Sequence, residues 1–221
     1  MASNNKAQRI GIWIIAIVMT VGTLGSFLVI ILQNDNQKID QARITKLTNE
    51  YKIATDEYQK KVDAQAAELS AVYFTEFNQY AGLPAVFNKD DVKELKTEDL
   101  KVGSGADIKK DSSFTAYYIG WNPTGEVFDG SIDGTKLKAP FTAQPGGVIS
   151  GWSEGAVGMK VGGVRVLTIP SEKAYGDTAR GDKIPANTPL KFVFMVIPTP
   201  EKIAEPTVPA ELLKQYSGGV Q

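Results

Sequence analysis

The chain contains no cysteine and no histidine. Without cysteine there is no disulfide, no thiolate metal site and no cysteine nucleophile, although the redox compartment stays open. Without histidine the commonest general base, the commonest transition-metal ligand and every Ser-His-Asp triad are excluded. A charge excess of either sign is missing too: 24 basic and 25 acidic side chains leave a net charge of −1. That balance gives no electrostatic footprint for nucleic acid, and none is expected as a partner. No metal and no cofactor is expected either. What is present, 43% apolar residues in a chain of 221, suffices for one or two domains with a buried core.

Charge is absent altogether from Ile10 to Leu32, where most residues are Ile, Val, Leu, Phe, Met or Trp. About 20 such residues cross the hydrocarbon layer. A cleaved signal has a shorter apolar region followed by small residues at the cut. Here the run ends in Leu32-Gln33-Asn34-Asp35, without an Ala-x-Ala pattern. The sequence therefore predicts a tail at 1–9 and an uncleaved signal anchor at 10–32. Lys6 and Arg9 precede the span, whereas Lys38, Arg43 and Lys46 follow it, so the positive-inside count does not decide orientation alone. Long domains translocate largely regardless of charge. The expectation is a single-pass protein of the cell membrane, with a cytoplasmic N-terminus and an extracytoplasmic domain.

Proline and glycine are absent from residues 37–81, which are rich in Gln, Lys, Glu and Ala. Ile44, Leu47, Tyr51, Ala54 and Tyr58 follow a 3-4-3-4 spacing, the mark of an apolar seam. The pattern drifts through Val62, Ala66, Leu69 and Tyr73, too soon to define a coiled coil. One reading is a single long amphipathic helix that serves as a stalk over 33–82. Another is a helix through which two copies form a homodimer, or an arm that cradles substrate. Gly82-Leu83-Pro84 ends the helix and opens a linker at 83–92. At the other end, 200–221 is a Pro-rich tail with a short helix predicted at 210–216.

The remainder, 93–199, carries most of the glycines. Phe114–Trp121, Val164–Ile169 and Leu190–Ile197 read as strands, the last apolar on both faces over most of its length. Turns are marked by Asn122-Pro123-Thr124-Gly125, Gly130, Asp133-Gly134 and Pro145-Gly146-Gly147. One short helix fits 151–157. The fold class is α+β, an antiparallel sheet with one helix against it. By periodicity alone, its alternating aromatic residues are core.

The order of motifs says more. Tyr117-Tyr118-Ile119-Gly120 followed by Val127-Phe128-Asp129-Gly130-Ser131, then Pro140-Phe141 and Val148-Ile149-Ser150-Gly151-Trp152-Ser153-Glu154-Gly155, resembles the FKBP family. Gly158-Met159-Lys160-Val161-Gly162-Gly163, Ala174-Tyr175-Gly176 and Ile184-Pro185-Ala186-Asn187 continue the match, which is collinear from about 93 to 198. The resemblance implies an FKBP-like half-wrapped antiparallel sheet around one short helix. It also implies a proline pocket lined by Tyr118, Phe128, Asp129, Phe141, Val148, Ile149, Trp152, Tyr175, Ile184 and Phe192. In the family the residue matching Trp152 forms the floor and the aromatic residues form the walls. The backbone N–H matching Ile149 grips a substrate carbonyl, and the tyrosine matching Tyr175 donates another hydrogen bond.

The implied activity is peptidyl-prolyl cis-trans isomerisation, which assists folding of exported, Pro-containing client polypeptides. Such chemistry needs no nucleophile, metal or strong base, so a chain without His or Cys can perform it. Tyr118, Phe128, Asp129, Trp152, Tyr175 and Phe192 are the expected catalytic set. Phe141, Val148, Ile149 and Ile184 are expected to bind substrate, and a macrolide ligand is a further implied partner. The alternative is a tethered scaffold or chaperone that holds Pro-containing segments without turnover. Two departures stand out: a short Thr142–Gly147 segment with Ala143 where an aromatic is common, and a polar loop at 179–183. That loop bears on macrolide affinity and on the choice of residue before proline.

Overall fold

The computed structural model describes residues 35–217. The tail at 1–9 and the span at 10–32 lie outside these residues. Among the described residues no helix is long and apolar enough to cross a membrane. The chain divides into two compact units. One holds the segment up to Val62 together with the segment from Lys202 onward, and the other is Asp63–Glu201.

A single helix, α1 (Asp35–Phe77), contributes to both units. Its polar face is stitched by Lys46–Glu50 and Lys52–Asp56 pairs one turn apart. The hydroxyls of Thr45, Thr48 and Thr55 donate to the carbonyls of Gln41, Ile44 and Tyr51, each at 2.8 Å. These threonines thus satisfy their own polar groups inside a helix that they would otherwise weaken. The seam residues Ile44, Leu47, Tyr51, Ala54 and Tyr58 are half-buried. In the same unit the tail lies against this helix. Arg43 donates to Glu211 at 2.7 Å, and burial followed by the Glu205 carboxylate pushes the Tyr58 hydroxyl upward. Helix α3 (Ala210–Ser217) buries Leu212.

The second unit is built on an antiparallel sheet. Its strands are β1 (Lys96–Lys101), β2 (Phe114–Trp121), β3 (Val127–Gly130), β6 (Phe141–Ala143), β7 (Val164–Ile169) and β8 (Leu190–Ile197). The order is β1-β7-β8-β2-β3, and β6 pairs with the first half of β2. A small hairpin, β4 (Ile132–Asp133) with β5 (Lys136–Leu137), follows β3. Helix α2 (Ser150–Gly155) rests on one face of the sheet. The α+β class, an antiparallel sheet with one short helix against it, is therefore as expected.

The strict alternation of β2 and β8 creates two cores. Phe114, Ala116, Phe192, Phe194 and Val196 meet Trp152 of α2 on one face. Tyr117, Ile119, Trp121, Val193, Met195 and Ile197 point the other way and meet Phe77. Leu69, Tyr73 and Phe74 of α1 join that second core. The last turns of the supposed stalk are thus the lid of the sheet's outer face. Phe77 is completely buried, and its ring lies 6.1 Å from that of Tyr117. Ser70, also buried, accepts from the Leu137 amide at 2.8 Å and ties the small hairpin to the helix.

Two glycines set how closely α2 approaches the sheet. A Cβ on Gly151 would lie 2.4 Å from Ile169, and one on Gly155 would lie 2.6 Å from Leu167. Neither distance is tolerable, so this helix face must be bare. Its C-terminal carbonyls are held by a buried cation: Arg165 Nη1 donates to Gly155 and Val157 at 2.8 and 3.1 Å. The same guanidinium grips Asp99 of β1 in a two-pronged bond of 2.6 and 2.9 Å. A positive charge at a helix C-terminus is favourable, and the carboxylate compensates its burial.

Candidate active site

Trp152 is 5% exposed, and its indole is ringed by aromatic side chains from three strands. Ring centroids of Tyr118, Phe192 and Phe141 lie 5.1, 5.2 and 5.7 Å away, all edge-on. Phe194 and Phe114 lie at 5.7 and 6.5 Å. Phe128 extends the wall, its ring 5.5 Å from Phe192 and perpendicular to it. Edge-to-face contacts of this kind fix ring orientation as well as burying area. The floor is rigid because α2 carries Trp152 down against β7 on its two glycines.

The rim is more open. Phe141 is 40% exposed, and Tyr118, Phe128, Val148, Ile149 and Tyr175 are half-buried against the same core. Ile184 is buried within it. Asp129, exposed, stands opposite Gly120 in the β2–β3 register. Its carboxylate accepts the Tyr118 hydroxyl at 2.5 Å and the Gly130 amide at 2.8 Å. Burial first, and then the Asp129 hydrogen bond, push the Tyr118 hydroxyl far above the ordinary tyrosine value. Tyr118 therefore stays a proton donor throughout the neutral range. Burial likewise raises Tyr175, with Asp129 adding to the rise and Arg180 opposing it. Of the ten residues named from the sequence, eight lie in or against this one core, while Phe141 meets it at the Trp152 ring and Asp129 at the Tyr118 hydroxyl. Nine of the ten are apolar or aromatic, and the carboxylate is already occupied.

Several contributors to the site were not singled out by the sequence. Phe114 and Phe194 stack beneath Trp152, but their alternation marked them only as core. Gly120 is bare because a Cβ there would lie 2.5 Å from Phe192 and 2.7 Å from Phe128. Ser131 pins the backbone of Tyr118: its hydroxyl accepts the Tyr118 amide at 2.9 Å, and its own amide donates to the Tyr118 carbonyl at 2.8 Å. Asn122 organises the neighbouring loops. Its side-chain oxygen accepts from Thr124 and Glu126 amides, and its nitrogen donates to the Lys183 carbonyl. Ala143, the departure in the short segment, is buried opposite Phe114, where it fills the edge of the core.

The fold and site define an antiparallel sheet, one face of which carries an aromatic cluster gathered around Trp152. The family model described as FKBP-type peptidyl-prolyl cis-trans isomerase matches residues 105–197. An FK506-binding protein of Neisseria meningitidis serogroup A is 44% identical over 98 residues, which is 44% of this chain and 89% of that protein. A probable FK506-binding protein of Corynebacterium glutamicum is 40% identical over 107 residues, 48% of this chain and 86% of the relative. A solved peptidyl-prolyl cis-trans isomerase from Pseudomonas syringae pv. tomato is 27% identical, with 62% of this chain and 96% of that one covered at a TM-score of 0.43. The chain belongs to the FKBP-type peptidyl-prolyl cis-trans isomerases, a family of enzymes that rotate the X-Pro peptide bond.

Proposed function

We propose that the isomerase works by seating a prolyl ring on Trp152, between Tyr118, Phe128 and Phe192, in clients at an outer membrane face. The observation that carries this reading is the buried indole with its edge-on aromatic walls. Rotation about a peptide bond meets a barrier of about 18–20 kcal/mol because the planar amide is stabilised by resonance. Uncatalysed X-Pro exchange accordingly takes roughly 10–100 s. The twisted amide has lost resonance, so its carbonyl is less polar than that of the planar form. An apolar surface binds the twisted form better, which is differential stabilisation of the transition state. Restraining the ring to conformers near the twist adds to the effect.

Asp129 acts here by orienting Tyr118, and its carboxylate is not needed as a base. The Ile149 amide and the Tyr175 hydroxyl take the role of donors to substrate carbonyls. Residues 10–32 tether the enzyme to the cell membrane, with the isomerase unit outside and Pro-containing exported chains as clients. The uncharged length of that segment supports the tether. The relatives are named for binding FK506, and a macrolide of that class would occupy the same aromatic surface as a competitor.

The test is cis-trans exchange of an X-Pro peptide by the full chain in detergent micelles. Acceleration over buffer, lost in Phe128→Ala and Asp129→Val and inhibited by the macrolide, is the expected outcome. A rate equal to buffer for the folded wild-type chain would sink the reading. Protease accessibility of the isomerase unit in intact cells tests its side of the membrane.

A further inference from the structure

We infer that Arg180 sets substrate specificity by selecting an acidic side chain immediately before the proline. The inference rests on the seating of the prolyl ring proposed above and adds to it a preference for charge. Arg180 belongs to the loop that follows Tyr175, and its guanidinium carbon lies 5.1 Å from the centroid of the Tyr175 ring. That stacking holds a cation at the rim of the aromatic surface. The loop is braced around it. The Arg180 amide donates to the Ile184 carbonyl at 2.8 Å, and Ile184 is buried in the site core.

The neighbouring cations are already engaged. Lys183 pairs with Glu126 at 3.1 Å and also donates to the Val127 carbonyl. Lys173 pairs with Glu154, and Lys138 donates to the Gly130 carbonyl. Arg180, among the described residues, makes no ion pair with any carboxylate, although Asp177 and Asp182 are close in sequence. Asp129, the one carboxylate among the candidate site residues, accepts from Tyr118 and Gly130. One cation at the rim is therefore held in place with its charge unanswered.

The direction of the preference follows from the substrate. In the seating proposed above, the carbonyl of the residue before proline, which belongs to the rotating bond, accepts from the Tyr175 hydroxyl. A side chain of that residue extending along the Tyr175 ring reaches Arg180, which lies over that ring. A glutamate or aspartate there meets an unpaired guanidinium, and a lysine meets repulsion. Arginine suits this task because its planar fork takes a carboxylate two-pronged while its face stays on the ring.

The test compares Glu-Pro, Leu-Pro and Lys-Pro peptides, otherwise identical, with the full chain. The expected result is kcat/KM for Glu-Pro about three- to tenfold above Lys-Pro at low salt, shrinking toward unity in about 1 M NaCl. Arg180→Gln is expected to abolish the Glu/Lys ratio, and Arg180→Lys to retain part of it. Turnover of Leu-Pro with no Glu/Lys discrimination, or a ratio unchanged in Arg180→Gln, overturns this assignment while leaving the isomerase reading intact. No turnover of any of the three peptides overturns both.

Discussion

At the scale of single residues, the site is shaped as much by missing atoms as by rings. Gly120 lies where a methyl group would press into Phe128 and Phe192, and Phe192 is only 3% exposed. The rings cannot swing away, because each packs edge-on against another aromatic. Overpacking of this kind costs about 1–3 kcal/mol. Gly120→Ala is therefore expected to lower kcat/KM roughly tenfold while the chain stays folded by circular dichroism. An unchanged kcat/KM would show that the walls yield freely. Motif order picks out eight residues that pack in or against the core around Trp152, with Phe141 and Asp129 at its edge. Gly120 lies within that motif, but its reason does not show there, since steric need depends on three strands that meet only in space. Arg180 was visible as a charge in an unusual loop, and its stack on Tyr175 was not.

At the scale of elements, the strands with strong apolar alternation were read with their observed bounds: β2, β7 and β8. Strand β1 was missed because Lys-Thr-Glu-Asp-Leu-Lys is exposed along its whole length. Its pairing with β7 and the Asp99–Arg165 bond make it a strand, not its own composition. Arg165 holds the Asp99 carboxyl below the ordinary range, chiefly through their hydrogen bond. A depressed carboxylate stabilises the fold above its unfolded value of about 3.9 and loses that contribution as pH falls through the folded value. Asp99→Asn should therefore melt below wild type at neutral pH, with the gap narrowing below about pH 4. A gap independent of pH would remove charge from the account.

Helix α1 carries a second prediction at this scale. Its final turns cover Tyr117, Trp121, Val193 and Met195, so a fragment starting at residue 93 lacks one lid of its core. Phe77→Ala should cost about 3–5 kcal/mol by denaturant titration. A 93–198 fragment should be less stable than a 63–201 fragment by at least as much, and equal midpoints would contradict the two-faced core.

At the scale of the whole molecule, the boundary between the compact units falls inside α1, after Val62. The first unit consists of the earlier part of that helix with the tail from Lys202. The Pro-rich tail lies against the helix for which the seam offers a stalk or a homodimer, meeting it at Arg43–Glu211 and at Tyr58. Deleting 202–217 is expected to leave kcat/KM within about twofold, because the site lies wholly in the other unit. The same deletion should raise self-association in sedimentation, as the helix loses the tail that pairs with Arg43 and approaches Tyr58. A deletion variant that sediments like wild type would show that the seam does not seek a partner.

The sequence by itself determined the chemistry available and the elements with strong periodicity. No imidazole and no thiol leave a reaction that needs neither, and motif order picks out residues that pack in or against the core around Trp152. An amphipathic pattern shows that a helix has an apolar face, but a pattern along one segment carries no information about what covers it. Only the tertiary structure decided that the end of α1 closes the outer core, that the tail lies against its beginning, and that Arg180 rests on Tyr175. Those outcomes depend on close packing between segments far apart in the chain.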